Sequence, residues 1–80
     1  MGMARYFVFP RGKMWLVTLD GVTMGSHDTK PDALNSAIVM SDLMGSMRHD
    51  SDVVLEDEGK LEIAWTFGAD PLPETTGVRQ

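Results

Sequence analysis

The sequence predicts an α+β fold in the order β-β-β-α-β-β, a mainly antiparallel sheet with one long helix packed on one face. Three observations lead there. Helical periodicity occurs in one place only, from about Thr29 to Met47. Short runs of strand-forming residues flank it on both sides, separated by Asp20-Gly21 and Glu58-Gly59, which read as hairpin turns. The 80 residues leave room for a single domain.

The first strand is expected over Arg5 to Pro10. Tyr6, Phe7, Val8 and Phe9 favour strands and are apolar on both faces, which predicts a central strand covered on both sides. Pro10 has no N–H to give a ladder, and Arg11-Gly12-Lys13 forms the next loop. In the second strand, Met14 to Leu19, alternation puts Trp15, Val17 and Leu19 on one face and Met14, Leu16 and Thr18 on the other. Asp20-Gly21 suits a type I′ turn into a third strand, Val22 to Ser26.

Thr29 is a candidate helix N-cap, with the Asp32 carboxylate positioned to complete a capping box and Pro31 in the tolerant first turn. Ala33, Leu34, Ala37, Ile38, Met40, Leu43, Met44 and Met47 recur at spacings of three and four, and Val39 widens the stripe. Gly45 weakens the helix end, while Arg48 and His49 suit its negative pole. Strand four is expected over Asp52 to Asp57 and strand five over Lys60 to Phe67. In strand five, Leu61, Ile63, Trp65 and Phe67 alternate with Glu62, Ala64 and Thr66, so the apolar set is expected beneath the helix. Residues 1–67 then form the domain and residues 68–80, with Pro71, Pro73 and Gly77, a flexible C-terminal tail.

The stretch from Tyr6 to about Ala37 resembles the small bacterial proteins of domain-of-unknown-function family 2188. The matching features are the aromatic and β-branched first strand ending in Pro10-Arg11, then Trp15 with Val17. Ser26-His27-Asp28-Thr29 leading into the helix, and Ala33 with Ala37 on its inner face, complete the match. The resemblance covers less than half the chain. It implies a fold and no catalytic residues, because the family has no established activity. The Met-rich helix end and Trp65-Thr66-Phe67-Gly68 depart from the family pattern.

Composition narrows the function classes. Twelve acidic against seven basic residues give a net charge of −5, which opposes general nucleic-acid binding. The absence of cysteine excludes disulfides and thiolate metal sites, and fits a cytoplasmic protein. No apolar run approaches the roughly 20 residues of a membrane span, and Met1-Gly2-Met3-Ala4-Arg5 is not followed by a signal-type apolar stretch. No cofactor is expected.

Individual motifs weigh little. His27 and His49 flank the helix, so roughly 25 Å would separate them and one ion could not join them within a chain. Ser26-His27-Asp28 has the residue types of a hydrolytic triad, but adjacent residues do not converge as triads do. Glu56-Asp57-Glu58, with Asp50 and Asp52, lacks the spacing of a calcium loop and reads as a solvated hairpin. Arg11 and Lys13, flanked by Phe9 and Trp15, with Arg5 expected nearby, are the candidate nucleic-acid contacts.

The best expectation is a non-catalytic interaction module that forms a homodimer, with an unknown protein partner as a further possibility. The candidate interface is Phe7, Phe9, Met14 and Leu16, whose apolar side chains one helix cannot all cover. The alternative is a nucleic-acid-associated regulator using the basic hairpin tip.

Overall fold

The computed structural model describes residues 3–47 and 50–72. Five strands and one helix follow in the predicted order: β1 (Met3–Arg11), β2 (Met14–Leu19), β3 (Val22–His27), α1 (Lys30–Ser46), β4 (Asp50–Asp57) and β5 (Lys60–Thr66). Turn chemistry sets the boundaries. Asp20-Gly21 (φ 54° and 79°) and Glu58-Gly59 (φ 54° and 78°) both take the left-handed geometry that a type I′ hairpin needs. Arg11 pairs with Met14 across a two-residue loop that opens on Gly12 at φ 61°.

The strands form one mixed sheet in the order β3-β2-β1-β4-β5. β1 is central, antiparallel to β2 and parallel to β4, with Tyr6 opposite Val53 and Phe7 opposite Val54. Both outer strands carry a bulge. Met24 is the extra residue where β3 leaves register with β2, and Ala64 is the extra residue where β5 leaves register with β4.

The Thr29 hydroxyl caps α1, accepting from the Asp32 N–H at 3.3 Å. Only this half of the expected capping box forms among the described residues. Lys30 opens the helix at the end where the dipole disfavours a cation. Its ammonium is held instead by Asp57 at 3.2 Å and lies 5.8 Å from the centre of the Trp15 ring. Arg48 and His49, assigned from sequence to the other pole, lie outside the described residues.

The helix meets the sheet along a ridge of small residues four apart: Ala33, Ala37, Ser41 and Gly45, all buried. Short side chains bring the helix close to Val8, Val17 and Val53, which are fully buried beneath it. Leu34, Ile38, Met40 and Met44 flank the ridge and complete the core with Ala4, Tyr6 and Trp65. This rotation corrects the expected stripe. Val39, Leu43 and Met47 point to solvent, each more than half exposed.

Ser41 explains its place within the ridge. Its hydroxyl donates to Ser51 Oγ at 2.9 Å, and Ser51 Oγ donates back to the Ser41 carbonyl. Both residues are buried, so the pair satisfies itself while tying α1 to the start of β4.

The bulge at Ala64 corrects the second expectation about faces. Trp65 opposes Val53 on the helix side, whereas Ile63 opposes Val54 on the other side, and Leu61 follows Ile63. Trp65 is 4% exposed; Leu61 and Ile63 are 64% and 58% exposed. The predicted strand alternation is thus split by one inserted residue.

The predicted tail begins in a turn at residues 67–69 and a bend at Asp70. Asp70 accepts from the Thr66 N–H at 2.9 Å, and the Trp65 indole N–H donates to the Pro71 carbonyl at 2.9 Å. Residues 73–80 lie outside the described residues. Phe67 turns back against Gly45 and meets Trp65 edge to face, with ring centres 6.4 Å apart.

Two outcomes follow from this packing. A methyl at Gly45 would overlap the Phe67 ring. Glycine to alanine within a helix ordinarily gains up to about 1 kcal/mol, while overpacking costs roughly 1–3 kcal/mol. Gly45→Ala should therefore be neutral to destabilising by about 2 kcal/mol in urea unfolding, and should become stabilising in a Phe67→Ala background. Stabilisation of equal size in both backgrounds would contradict the contact. Tyr6 is 3% exposed, and its burial raises the phenol pKa above the ordinary value of 10.0. The unfolded chain then releases this proton first. The Tyr6 contribution is complete below pH 10.0 and is lost as pH rises through the raised folded value. Tyr6→Phe should lessen the alkaline decline of the urea midpoint.

Candidate functional site

The sheet has a second face, and among the described residues no element covers it. Alternation places the odd residues of β1 there, because Ala4, Tyr6 and Val8 point to the helix. Register then identifies their neighbours. Phe7 lies in one row with Thr18, Val54 and Ile63, and Phe9 pairs with Leu16. The candidate interface residues Phe7, Phe9, Met14 and Leu16 all have this orientation. They are half-buried by one another and by their neighbours rather than by a covering layer. This corrects the expectation that β1 is covered on both sides.

Three apolar members of the face belong to the second group of strands. Val54 is buried at its centre, while Ile63 and Leu61 stand more than half exposed on β5. Ile63 and Leu61 escaped sequence reasoning because Ala64 shifts the register, and a bulge leaves no periodic signal. Together with Arg5, Phe7 and Glu62 they line an open cleft of about 240 Å³. Its volume is small beside the roughly 300–1,000 Å³ of ordinary ligand pockets, and it is shallow.

One end of the face is closed by an ion pair. Arg5 Nε and Nη2 donate to the two Asp52 carboxylate oxygens at 3.0 and 2.9 Å. The Asp52 side chain is 2% exposed and the Arg5 side chain 45% exposed. The hydrogen bond to Asp52, followed by its negative charge, raises the Arg5 pKa further above its already high value. The guanidinium therefore stays charged wherever the protein is folded. Parallel pairing sets Arg5 directly opposite Asp52, so this bidentate bond pins the β1–β4 register.

The other end carries the basic loop. Arg11 and Lys13 are exposed at the β1–β2 tip. Their expected aromatic neighbours do not form one platform. Phe9 is on the open face, whereas Trp15 pairs with Pro10 and lies on the helix side beneath Lys30. Nor is Arg5 nearby, since six residues of strand place it roughly 20 Å from Arg11.

The remaining motifs stay apart. Ser26 pairs with Leu16 and His27 with Trp15, so the two side chains leave opposite faces and no triad assembles. His27 Nε2 is buried without a hydrogen-bond partner among the described residues and lies near Gly25. His49 is outside the described residues. Asp52 is engaged by Arg5 and Asp57 by Lys30. Among the described residues, no three His, Cys, Asp or Glu side chains converge as a metal site. No helix there is long and apolar enough to cross a membrane.

Arg5 and Asp52 offer a direct check on the register. Arg5→Ala should lower the urea midpoint, because it strands a buried carboxylate, and Arg5→Lys should restore only part of the loss. Full restoration by lysine would show that charge alone, without the two-pronged geometry, sustains the pair.

Comparison of the chain with family models, with curated proteins and with solved structures finds no match.

Proposed function

We propose that this protein is a small non-catalytic interaction module that works as a homodimer through the open face of its sheet. The observation that carries this reading is the contiguous apolar surface of Phe7, Phe9, Leu16, Val54, Leu61 and Ile63, which α1 leaves uncovered. Such patches on small domains mark protein contacts. Size supports it too. The 80 residues bury a small core, and assembly is a common way to stabilise one when disulfides are absent. The same reading places the protein in the cytoplasm, where a chain without cysteine works unchanged. The resemblance to domain-of-unknown-function family 2188 belongs to this proposal and supplies no catalytic residue.

One observation favours a second reading. Arg5, Phe7, Phe9 and Arg11 alternate along the open side of β1, as in a surface that stacks bases between phosphate contacts. The aliphatic side chains around the two phenylalanines, and the net charge of −5, favour a protein partner instead.

Light scattering during size-exclusion chromatography separates these readings. A mass near twice 8.8 kDa is expected across a concentration series. Leu16→Glu should give a monomer or an insoluble protein, since it sets a charge in the apolar face. A soluble Leu16→Glu dimer would remove this face as the interface. A monomeric wild type that binds single-stranded oligonucleotides at low salt would favour the second reading.

A further inference from the structure

The open face is flanked at one end by charges that the fold's own ion pairs leave unused among the described residues. β1 and β4 run parallel, so the hairpin tips that follow them lie side by side at one end of the sheet. The β1–β2 tip is basic, with Arg11 and Lys13, and the β4–β5 hairpin is net acidic at the same end, with Glu56 on β4 and Glu58 in the turn against the exposed Lys60 on β5. All five side chains are exposed, and none joins an ion pair among the described residues. At the other end, Arg5 on β1 stands beside Asp52 on β4. In both rows the positive group is on or beside β1 and the negative group is on or beside β4. The tip end of the face is therefore opposite in charge across a line drawn between these two strands, while Arg5 and Asp52 neutralise each other at the other end.

We propose that the occupant of this face is a second copy of the chain, related by a two-fold axis that runs parallel to β1 and β4 and midway between them. This rests on the homodimer proposed above and specifies its geometry. Such an axis lays the basic tip of each copy over the acidic tip of the other, and it lays Arg5 over the β4 side of the partner sheet. It also sets Phe7 over Val54 and Leu16 over Leu61, with Ile63 over Thr18 and Phe9 over Glu56. The alternative two-fold, running across the strands, reverses top and bottom. It brings each tip over the partner's Arg5–Asp52 pair, which is already neutralised, so the tips lose their opposite-charge partners.

The dimensions are adequate. Five strands about 4.8 Å apart and about seven residues long give a footprint of roughly 500–600 Å². The accessible area of that corrugated surface approaches the roughly 800 Å² per partner of a standard interface. Sheets packed face to face lie about 10 Å apart with strands within about 30° of alignment. Arginine and lysine side chains span that gap at the rim, where ion pairs steer and orient more than they bind.

The test uses two variants whose altered residues are all exposed and outside the core. One is Arg11→Glu with Lys13→Glu; the other is Glu56→Lys with Glu58→Lys. Each alone should dimerise about tenfold more weakly than wild type at low salt, because like tips then face each other. An equimolar mixture should form a heterodimer about as tight as the wild-type dimer, because both pairs of facing tips become opposite in charge. The rescue should fade with added salt. Contacts between tips within one chain cannot produce it, since each variant repels itself internally as well.

The wild-type mass separates the possible failures. A dimeric wild type, with no weakening in either variant and no gain on mixing, would overturn the two-fold placement and leave the homodimer standing. A monomeric wild type would overturn both. A monomer that binds a fluorescent single-stranded oligonucleotide at low salt, and loses it in the Arg11→Glu, Lys13→Glu variant, would assign the basic tip to nucleic acid instead.

Discussion

One helix covers one face of a sheet, and the described residues hold a single helix. That constraint governs the molecule. Five strands present two faces, and α1 lies on the face formed by Ala4, Tyr6, Val8, Val17, Val53 and Trp65. Of the apolar residues of opposite orientation, only Val54 is buried, by its neighbours within the sheet. Phe7 and Val54 are central in the sheet and still belong to an uncovered surface. The protein resembles half of a three-layer or four-layer assembly, with one layer of side chains left to be matched from outside.

Two polar contacts make this arrangement specific. The Arg5–Asp52 fork fixes how β1 and β4 align, and the Ser41–Ser51 pair fixes where α1 sits relative to β4. Both involve β4, the strand that must join β1 across the longest stretch of intervening chain. Hydrophobic burial favours many registers; a bidentate hydrogen bond favours one. The register matters beyond stability, because it places the basic and acidic hairpin tips at the same end of the sheet. Packing of the helix depends on a different device. Its contact ridge is built from alanine, serine and glycine, so close approach, rather than a broad apolar stripe, determines its rotation.

The elements themselves were legible in the sequence because their signals are local. Asp20-Gly21 and Glu58-Gly59 require left-handed turns, and Thr29 with Pro31 opens a helix, so β2 and the helix start fall where expected. Period-two alternation grouped Phe7 with Phe9 and Met14 with Leu16, but only the pairing of β1 with β2 and the seat of the helix put both groups on the open face. What stayed hidden was non-local. Parallel pairing of β1 with β4 depends on partners 47 residues apart, as with Arg5 and Asp52. The bulge at Ala64 moves Leu61 and Ile63 to the open face without altering composition. Leu43 and Met47 have core-like spacing and yet face solvent, because the small residues Ser41 and Gly45 approach the sheet instead. The strand alternation of Leu61, Ile63, Trp65 and Phe67 and the helical stripe are the same kind of error: each assumes an uninterrupted element and equal weight for every apolar residue.

The central claim is that the open sheet face, and not the exposed apolar residues Val39, Leu43 and Met47 of the helix, is where copies meet. Isotope-filtered nuclear Overhauser spectroscopy on a mixture of labelled and unlabelled protein tests it most directly. The account predicts intermolecular contacts from the Phe7 ring to Val54 methyls and from Leu16 to Leu61. Intermolecular contacts confined to Val39, Leu43 and Met47, or none in a sample whose mass is dimeric, would contradict it.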